Sequence, residues 1–198
     1  QQGNNNAWCQ DNEVSWFDWR LVETNADLVR FLSALIAFRR SNPTLRRQTF
    51  LRGGESAAGP LPDVEWFSPE GIHIDWYAAD ASLTCFFGAA GAEESTPDPD
   101  PSANGGVVVP RHLMLFAHAG SLPRTFHFPQ APALRALRWQ TLLNTGRQPP
   151  NDIHPAGDGP VIDVEKPLEL CERSLVCLVA DTKPISPPPL RRIARRRA

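Results

Sequence analysis

The sequence predicts a mixed fold: an amphipathic helix near the N-terminus, followed by an antiparallel β-sandwich. Two observations predict it. Between Leu28 and Phe38 apolar residues recur at three- and four-residue steps, the period of a helix with one face on a core. After about Gln48 the text changes to short apolar or alternating runs separated by Gly, Pro, Asp and Asn, the pattern of antiparallel strands joined by turns.

Residues 1–24 are polar and rich in aromatic side chains, holding Trp8, Trp16 and Trp19 of six tryptophans in the chain. They read as a loop with at most a helical turn near Val14 to Trp19. Thr24-Asn25-Ala26-Asp27 matches a capping box, so a helix is expected to start there. Leu28, Phe31, Leu32, Leu35, Ile36 and Phe38 are expected to form one wide apolar face. Arg39 and Arg40 suit the negative end of the helix dipole, and Asn42-Pro43 stops the helix. Strands are expected near 49–52, 64–68, 72–76, 82–88, 112–119, 123–128, 137–143, 161–164 and 174–180. The stretch Ala92 to Gly106, with Glu93-Glu94 and the run Thr96-Pro97-Asp98-Pro99-Asp100-Pro101, is expected to be a solvated loop without a ladder. From Lys183 onward, the run Pro187-Pro188-Pro189 and five arginines read as a disordered basic tail.

With 198 residues and 41% hydrophobic content the chain can bury a core of its own. A formal charge of −2 leaves no global basic field, so neither nucleic acid nor membrane is an expected partner. No apolar run approaches the roughly 18–20 residues of a membrane span. The polar start, without Met and opening in mid-loop, reads as a truncation. Cys9, Cys85, Cys171 and Cys177 have neither zinc spacing nor the density of a disulfide scaffold; they read as reduced structural thiols, which points to the cytoplasm. His73, His112, His118, His127 and His154 show no metal spacing, and His118 and His127 read as satisfied or solvent-facing strand residues. No nucleophile elbow surrounds Ser174 and no phosphate loop occurs, so no metal and no cofactor is expected.

The opening stretch concentrates amides, carboxylates and indoles. Aromatic faces stack on the C–H faces of sugar rings, while amides and carboxylates bind vicinal hydroxyls, so this composition suits an oligosaccharide subsite. The same residues also fit an ordinary role as core anchors and turn formers.

The segment GNNNAWCQDNEVSWFDW, residues 3–19, resembles the stretch after the eighth barrel strand in bacterial glycogen debranching enzymes, the isoamylase-type branch of the α-amylase glycoside hydrolase family. Leu28 to Leu45, with AFRRSNPTL, is similar to that family's last barrel helix and the turn leaving it. DVEWF at 63–67, Asp75-Trp76 and HLMLFAHAG at 112–120 resemble strands of its C-terminal sandwich.

The resemblance, which runs in order over about 1–180, implies the C-terminal remnant of a (β/α)8 barrel, loop plus last helix, over residues 1–47 and an antiparallel β-sandwich over 48–181; the disordered basic Pro-rich tail, 182–198, is read from composition alone. It implies hydrolysis of α-1,6-glucosidic branch points in a glycogen-like glucan by a retaining two-carboxylate route. In that family the catalytic carboxylates follow the fourth, fifth and seventh barrel strands, so no residue of this chain is expected to be catalytic. The implied partners are a branched α-glucan and the N-terminal barrel portion of the same parent enzyme. Asn6, Trp8, Gln10, Asp11, Asn12 and Trp16 are the candidate substrate contacts, since a barrel's βα loops gather at the active-site face. Trp19 is expected to pack beneath the loop. A free-standing sandwich that binds carbohydrate or a partner is the alternative.

Overall fold

A computed structural model describes residues 11–13, 15–56, 59–78, 80–90, 94–96 and 109–182, with backbone alone at 55, 56, 59 and 60. The tail from Lys183 and most of the acidic Pro-rich stretch lie outside the described residues. The architecture is mostly antiparallel sheet with few helices, compatible with the expected sandwich.

Helix α1 (Leu21–Thr24) is a single turn, followed by α2 (Ala26–Ser41) and a 3₁₀ turn at Pro43–Arg46. Strands β1 (Glu55–Ser56) and β2 (Gly59–Pro62) pair with each other. The main sheet holds β3 (Val64–Phe67), β4 (Ser82–Phe87), β5 (Arg111–His118), β9 (Ser174–Asp181) and β7 (Gln140–Asn144), in the spatial order β3-β4-β5-β9-β7. A ribbon of β6 (Arg124–Phe126) and β8 (Leu168–Leu170) forms separately, and α3 (Pro132–Arg135) leads into β7. Among the described residues no helix is long and apolar enough to cross a membrane.

Strand alternation divides the core in two. Phe86 pairs with Met114 and Met114 with Leu178, while Thr84 pairs with Phe116 and Phe116 with Val176. On this face Phe86, Met114, Phe116, Val176 and Leu178 pack with Phe126, Leu134, Trp139 and Leu170. The fully buried Trp139 donates its indole N–H to the Leu134 carbonyl at 2.8 Å, so its polar edge is satisfied. On the opposite face Leu113, Cys177 and Val179 meet Leu142, Leu143, Ile153 and Phe38, with Phe31, Ala34 and Leu35 packed against them. The sheet therefore lies between the β6–β8 ribbon and α2.

Helix α2 does not present the single wide apolar face expected of it. Phe31, Ala34, Leu35 and Phe38 dock on the sheet, whereas Leu28, Val29, Leu32 and Ile36, roughly a third of a turn away, are exposed. Nor does the capping box form. Thr24 belongs to α1, where its hydroxyl donates to the Arg20 carbonyl, and Asn25 is the N-cap without a side-chain cap bond. The preceding helical turn consumes the residue that would have capped α2.

Three expected strands are turns instead. Near 49–52 the Asp63 carboxylate accepts the Arg52 and Gly53 N–H groups, converting the stretch into a carboxylate-anchored loop with Phe50 in solvent. At 72–76 a single bridge, His73 to Phe67, forms before the Asp75 carboxylate captures the Tyr77 N–H and turns the chain. This return needs Gly71, whose φ is +76° and where a Cβ would lie 2.8 Å from the Phe128 carbonyl oxygen. Near 161–164 only Val161 bridges to Gln140, and the Asp163 carboxylate then accepts the Glu165 N–H. The short elements α1, β1, β2, α3 and β8 fall outside the expected ones.

The stretch 92–106 is not wholly free of pairing. Arg47 bridges to Ser95, the Gln48 N–H donates to the Glu94 carbonyl, and the Thr96 N–H donates to the Arg46 carbonyl. Arg46 also donates to the Thr96 carbonyl, and Arg47 reaches the Glu94 carboxylate at 3.1 Å and the Gly88 carbonyl at 2.7 Å. Two largely buried guanidinium groups thus supply the partners that the composition of the stretch lacks.

Candidate functional site

Of the candidate substrate contacts, Asn6, Trp8 and Gln10 lie outside the described residues. Asp11, Asn12 and Trp16 are brought together by one turn. The Ser15 and Trp16 N–H groups both donate to the Asn12 carbonyl, at 2.9 and 3.0 Å, and the Ser15 hydroxyl donates to the same oxygen at 3.0 Å. This fold-back places the Trp16 indole N–H 2.7 Å from the Asp11 carboxylate. The bond fixes the ring and leaves its faces open, with Trp16 60% exposed.

Phe17 and Trp19 continue this surface, their rings edge to face at 5.1 Å. Trp19 does not pack beneath the loop as expected, since it is 77% exposed. Helix α1 begins two residues later, and no core residue of the described chain reaches back over the indole. Asp18 holds Arg20 through two bonds of 2.8 Å, and the guanidinium keeps the Asp18 carboxyl below its usual range. The assembly thus combines three exposed aromatic rings with the bonded carboxylates of Asp11 and Asp18. Such a surface can stack on sugar rings and accept hydrogen bonds from their hydroxyls.

Behind this surface, α2 is joined to the sheet by buried polar residues, among them Asn42 of the Asn42-Pro43 helix stop. The fully buried Asn42 accepts the Thr44 N–H at 3.3 Å and the Arg111 N–H at 3.1 Å through its side-chain oxygen. The Thr44 hydroxyl donates to the Arg111 carbonyl at 2.8 Å and accepts the Ala90 N–H at 3.1 Å. His112 accepts the Ala89 N–H through Nδ1 at 3.0 Å and stacks on Phe86, and burial lowers its pKa to about 4. At the other end of α2, Arg30 grips both oxygens of Asp152, at 2.6 and 2.8 Å. His118 is buried with both ring nitrogens bonded, to Ser82 at 2.8 Å and to the Leu122 carbonyl at 2.6 Å. His127 is exposed. Cys85 and Cys177 are buried thiols whose pKa values burial pushes up to about 12. Among the described residues no group of three His, Cys, Asp or Glu side chains is placed to hold a metal ion.

No protein-family model matches the chain. It is 41% identical over 80 residues to a glycogen operon protein GlgX homolog of Mycobacterium tuberculosis, a match taking in 38% of this chain and 11% of that protein. It is 42% identical over 71 residues to a glycogen debranching enzyme of Pectobacterium carotovorum, covering 36% of this chain and 10% of the relative. The same identity holds over 73 residues with a glycogen debranching enzyme of Klebsiella pneumoniae, covering 33% and 11%. The matched stretch is thus about a tenth of the length of these curated relatives. Over that stretch the chain is a relative of the GlgX-type glycogen debranching enzymes, the family that its opening segment resembles.

Proposed function

We propose that the chain is the C-terminal part of a cytoplasmic glycogen debranching enzyme that hydrolyses α-1,6-glucosidic branch linkages in glycogen-like glucans. In this reading residues 1–47 are the end of a (β/α)8 barrel, its substrate-side loop and last helix. Residues 48–181 are the antiparallel β-sandwich, and 182–198 are a basic tail. Asn6, Trp8, Gln10, Asp11, Asn12 and Trp16 contact the glucan, while the catalytic carboxylates belong to barrel loops that this chain does not carry. Alone, the chain is inactive.

The observation that carries this reading is the open stripe Leu28, Val29, Leu32 and Ile36 on a helix whose other face is docked. A helix apolar on two faces suits a position between two layers, here the sheet on one side and a barrel on the other. The open rings of Trp16, Phe17 and Trp19, on the same N-terminal segment, fit a glucan-facing loop.

The test is a chimera in which this chain replaces the matching C-terminal part of the Pectobacterium carotovorum enzyme. Release of reducing ends from glycogen is expected from the chimera and not from the chain alone. Trp16→Ala in the chimera should raise KM about tenfold with a smaller change in kcat, the signature of a lost binding contact. A folded chimera without activity, or hydrolysis by the isolated chain, refutes the proposal.

The second reading, a stand-alone carbohydrate-binding or interaction module, is favoured by the docking of Phe31, Ala34, Leu35 and Phe38 on the chain's own sheet. Retention of the isolated, monodisperse chain on glycogen would select it.

A further inference from the structure

Far along the chain from the candidate glucan contacts, a cleft of about 650 Å3 opens beside the loop that follows β7. Its rim carries Arg147, Gln148, Asn151 and His154, and its floor includes Ile162 and Leu168. We propose that this cleft is a binding site for a small phosphorylated sugar.

Three observations carry the assignment. First, the rim side chains are uncommitted: among the described residues, those of Arg147, Gln148, Asn151 and His154 make no hydrogen bond or ion pair. Second, the backbone that presents them is held. The Arg147 N–H donates to the Asn144 carbonyl, the Asn151 N–H to Gln148, the Asn144 N–H to Asp152 and the His154 N–H to Leu142. The Asn144 side chain accepts the Gly146 N–H at 2.9 Å, and the Asp152 that closes the loop is itself gripped by Arg30. Polar groups presented by a fixed loop lose little freedom on binding. Third, the lining contains no carboxylate. Of the acidic residues near it in sequence, Asp152 pairs with Arg30, Asp163 with Lys166 and Glu165 with Arg135, Glu169 accepts the Thr125 hydroxyl, and the exposed Asp158 lies outside the lining.

The cleft therefore offers one permanent cation and one imidazole with no carboxylate in the lining, the free amides of Gln148 and Asn151, and an apolar floor. A guanidinium binds phosphate oxygens bidentately. Amides donate to and accept from adjacent hydroxyls, and the floor of Ile162 and Leu168 matches the C–H face of a pyranose. A neutral glucan fits less well, because no Trp, Tyr or Phe lines the cleft to serve as a broad stacking platform. The site does not depend on the debranching assignment, since its residues belong to the sheet and its loops.

The test is a calorimetric titration of the full 198-residue chain with glucose 6-phosphate, with glucose, maltotriose and inorganic phosphate as comparisons. Saturable binding of glucose 6-phosphate is expected, weaker binding of phosphate, and none of glucose or maltotriose at the same concentration. Arg147→Ala should weaken glucose 6-phosphate binding at least tenfold and Asn151→Ala several-fold. Both positions are exposed, so both variants should keep the unfolding midpoint of the parent chain. The exposed Arg39→Ala, on α2, should leave binding unchanged. Absence of saturable binding, preference for maltotriose, or equal weakening by Arg147→Ala and Arg39→Ala would each overturn the assignment.

Discussion

Asn42 and Thr44 show how two residues join a helix to a sheet. Each makes bonds to backbone groups more than forty residues away, and both are almost wholly buried. Replacing Asn42 by Ala leaves the Arg111 and Thr44 N–H groups without their acceptor, and a buried unsatisfied donor costs about 1–3 kcal/mol. The expected result is a lower urea midpoint with an unchanged slope. His112 adds a pH dependence. Its Nδ1 must remain unprotonated to accept the Ala89 N–H, and its pKa falls from 6.5 to about 4, so the unfolded chain binds the extra proton first. Stability from this group is therefore complete above pH 6.5 and is lost progressively as pH falls towards 4, at about 1.4 kcal/mol per unit of pKa difference. His112→Asn, which keeps an acceptor but does not titrate, should flatten urea midpoints measured between pH 7 and 4. Neither role was legible in the sequence. Asn42-Pro43 reads locally as a stop signal, and partners supplied by 89–90 and 111 leave no trace in local spacing.

Elements were legible in proportion to their burial. β4, β5 and β9 lie inside the sheet, and the runs at 82–88, 112–119 and 174–180 located them to within a residue or so. Ile72 to Trp76 and Val161 to Val164 carry similar residues at the sheet margin, where one aspartate side chain captures a backbone N–H and ends the pairing. Helix α2 was legible as a helix but not as a helix with two faces, because its spacing cannot say how much of an apolar stripe the chain covers by itself. The two faces should respond differently to substitution. Leu32→Glu and Ile36→Glu, at open positions, should shift stability by no more than about 0.5 kcal/mol and reduce self-association in sedimentation velocity. Phe38→Ala, at the docked face, should cost about 3–5 kcal/mol in chemical denaturation. Equal effects at both faces would mean that the open stripe is covered in solution by another copy of the chain.

For the whole molecule the question is whether α2 belongs energetically to the sheet beneath it. It is held at one end by Asn42 and Thr44, at the other by the Arg30–Asp152 pair, and between them by Phe31, Ala34, Leu35 and Phe38. Contacts spread along the helix should make helix and sheet open together, whereas α1 and the aromatic turn before it lack core contacts and should open alone. Amide hydrogen exchange separates these cases. Amides of residues 34–41 are expected to exchange with the same free energy and denaturant dependence as those of β9, and amides of 15–24 far faster. Asp152→Asn removes one charge from the clamp at Arg30 and should lower protection in the first half of α2 while leaving that near Phe38 close to the global value. If all of α2 instead exchanged well below β9, the docked face would contribute little, and the helix would depend on whatever covers its open stripe.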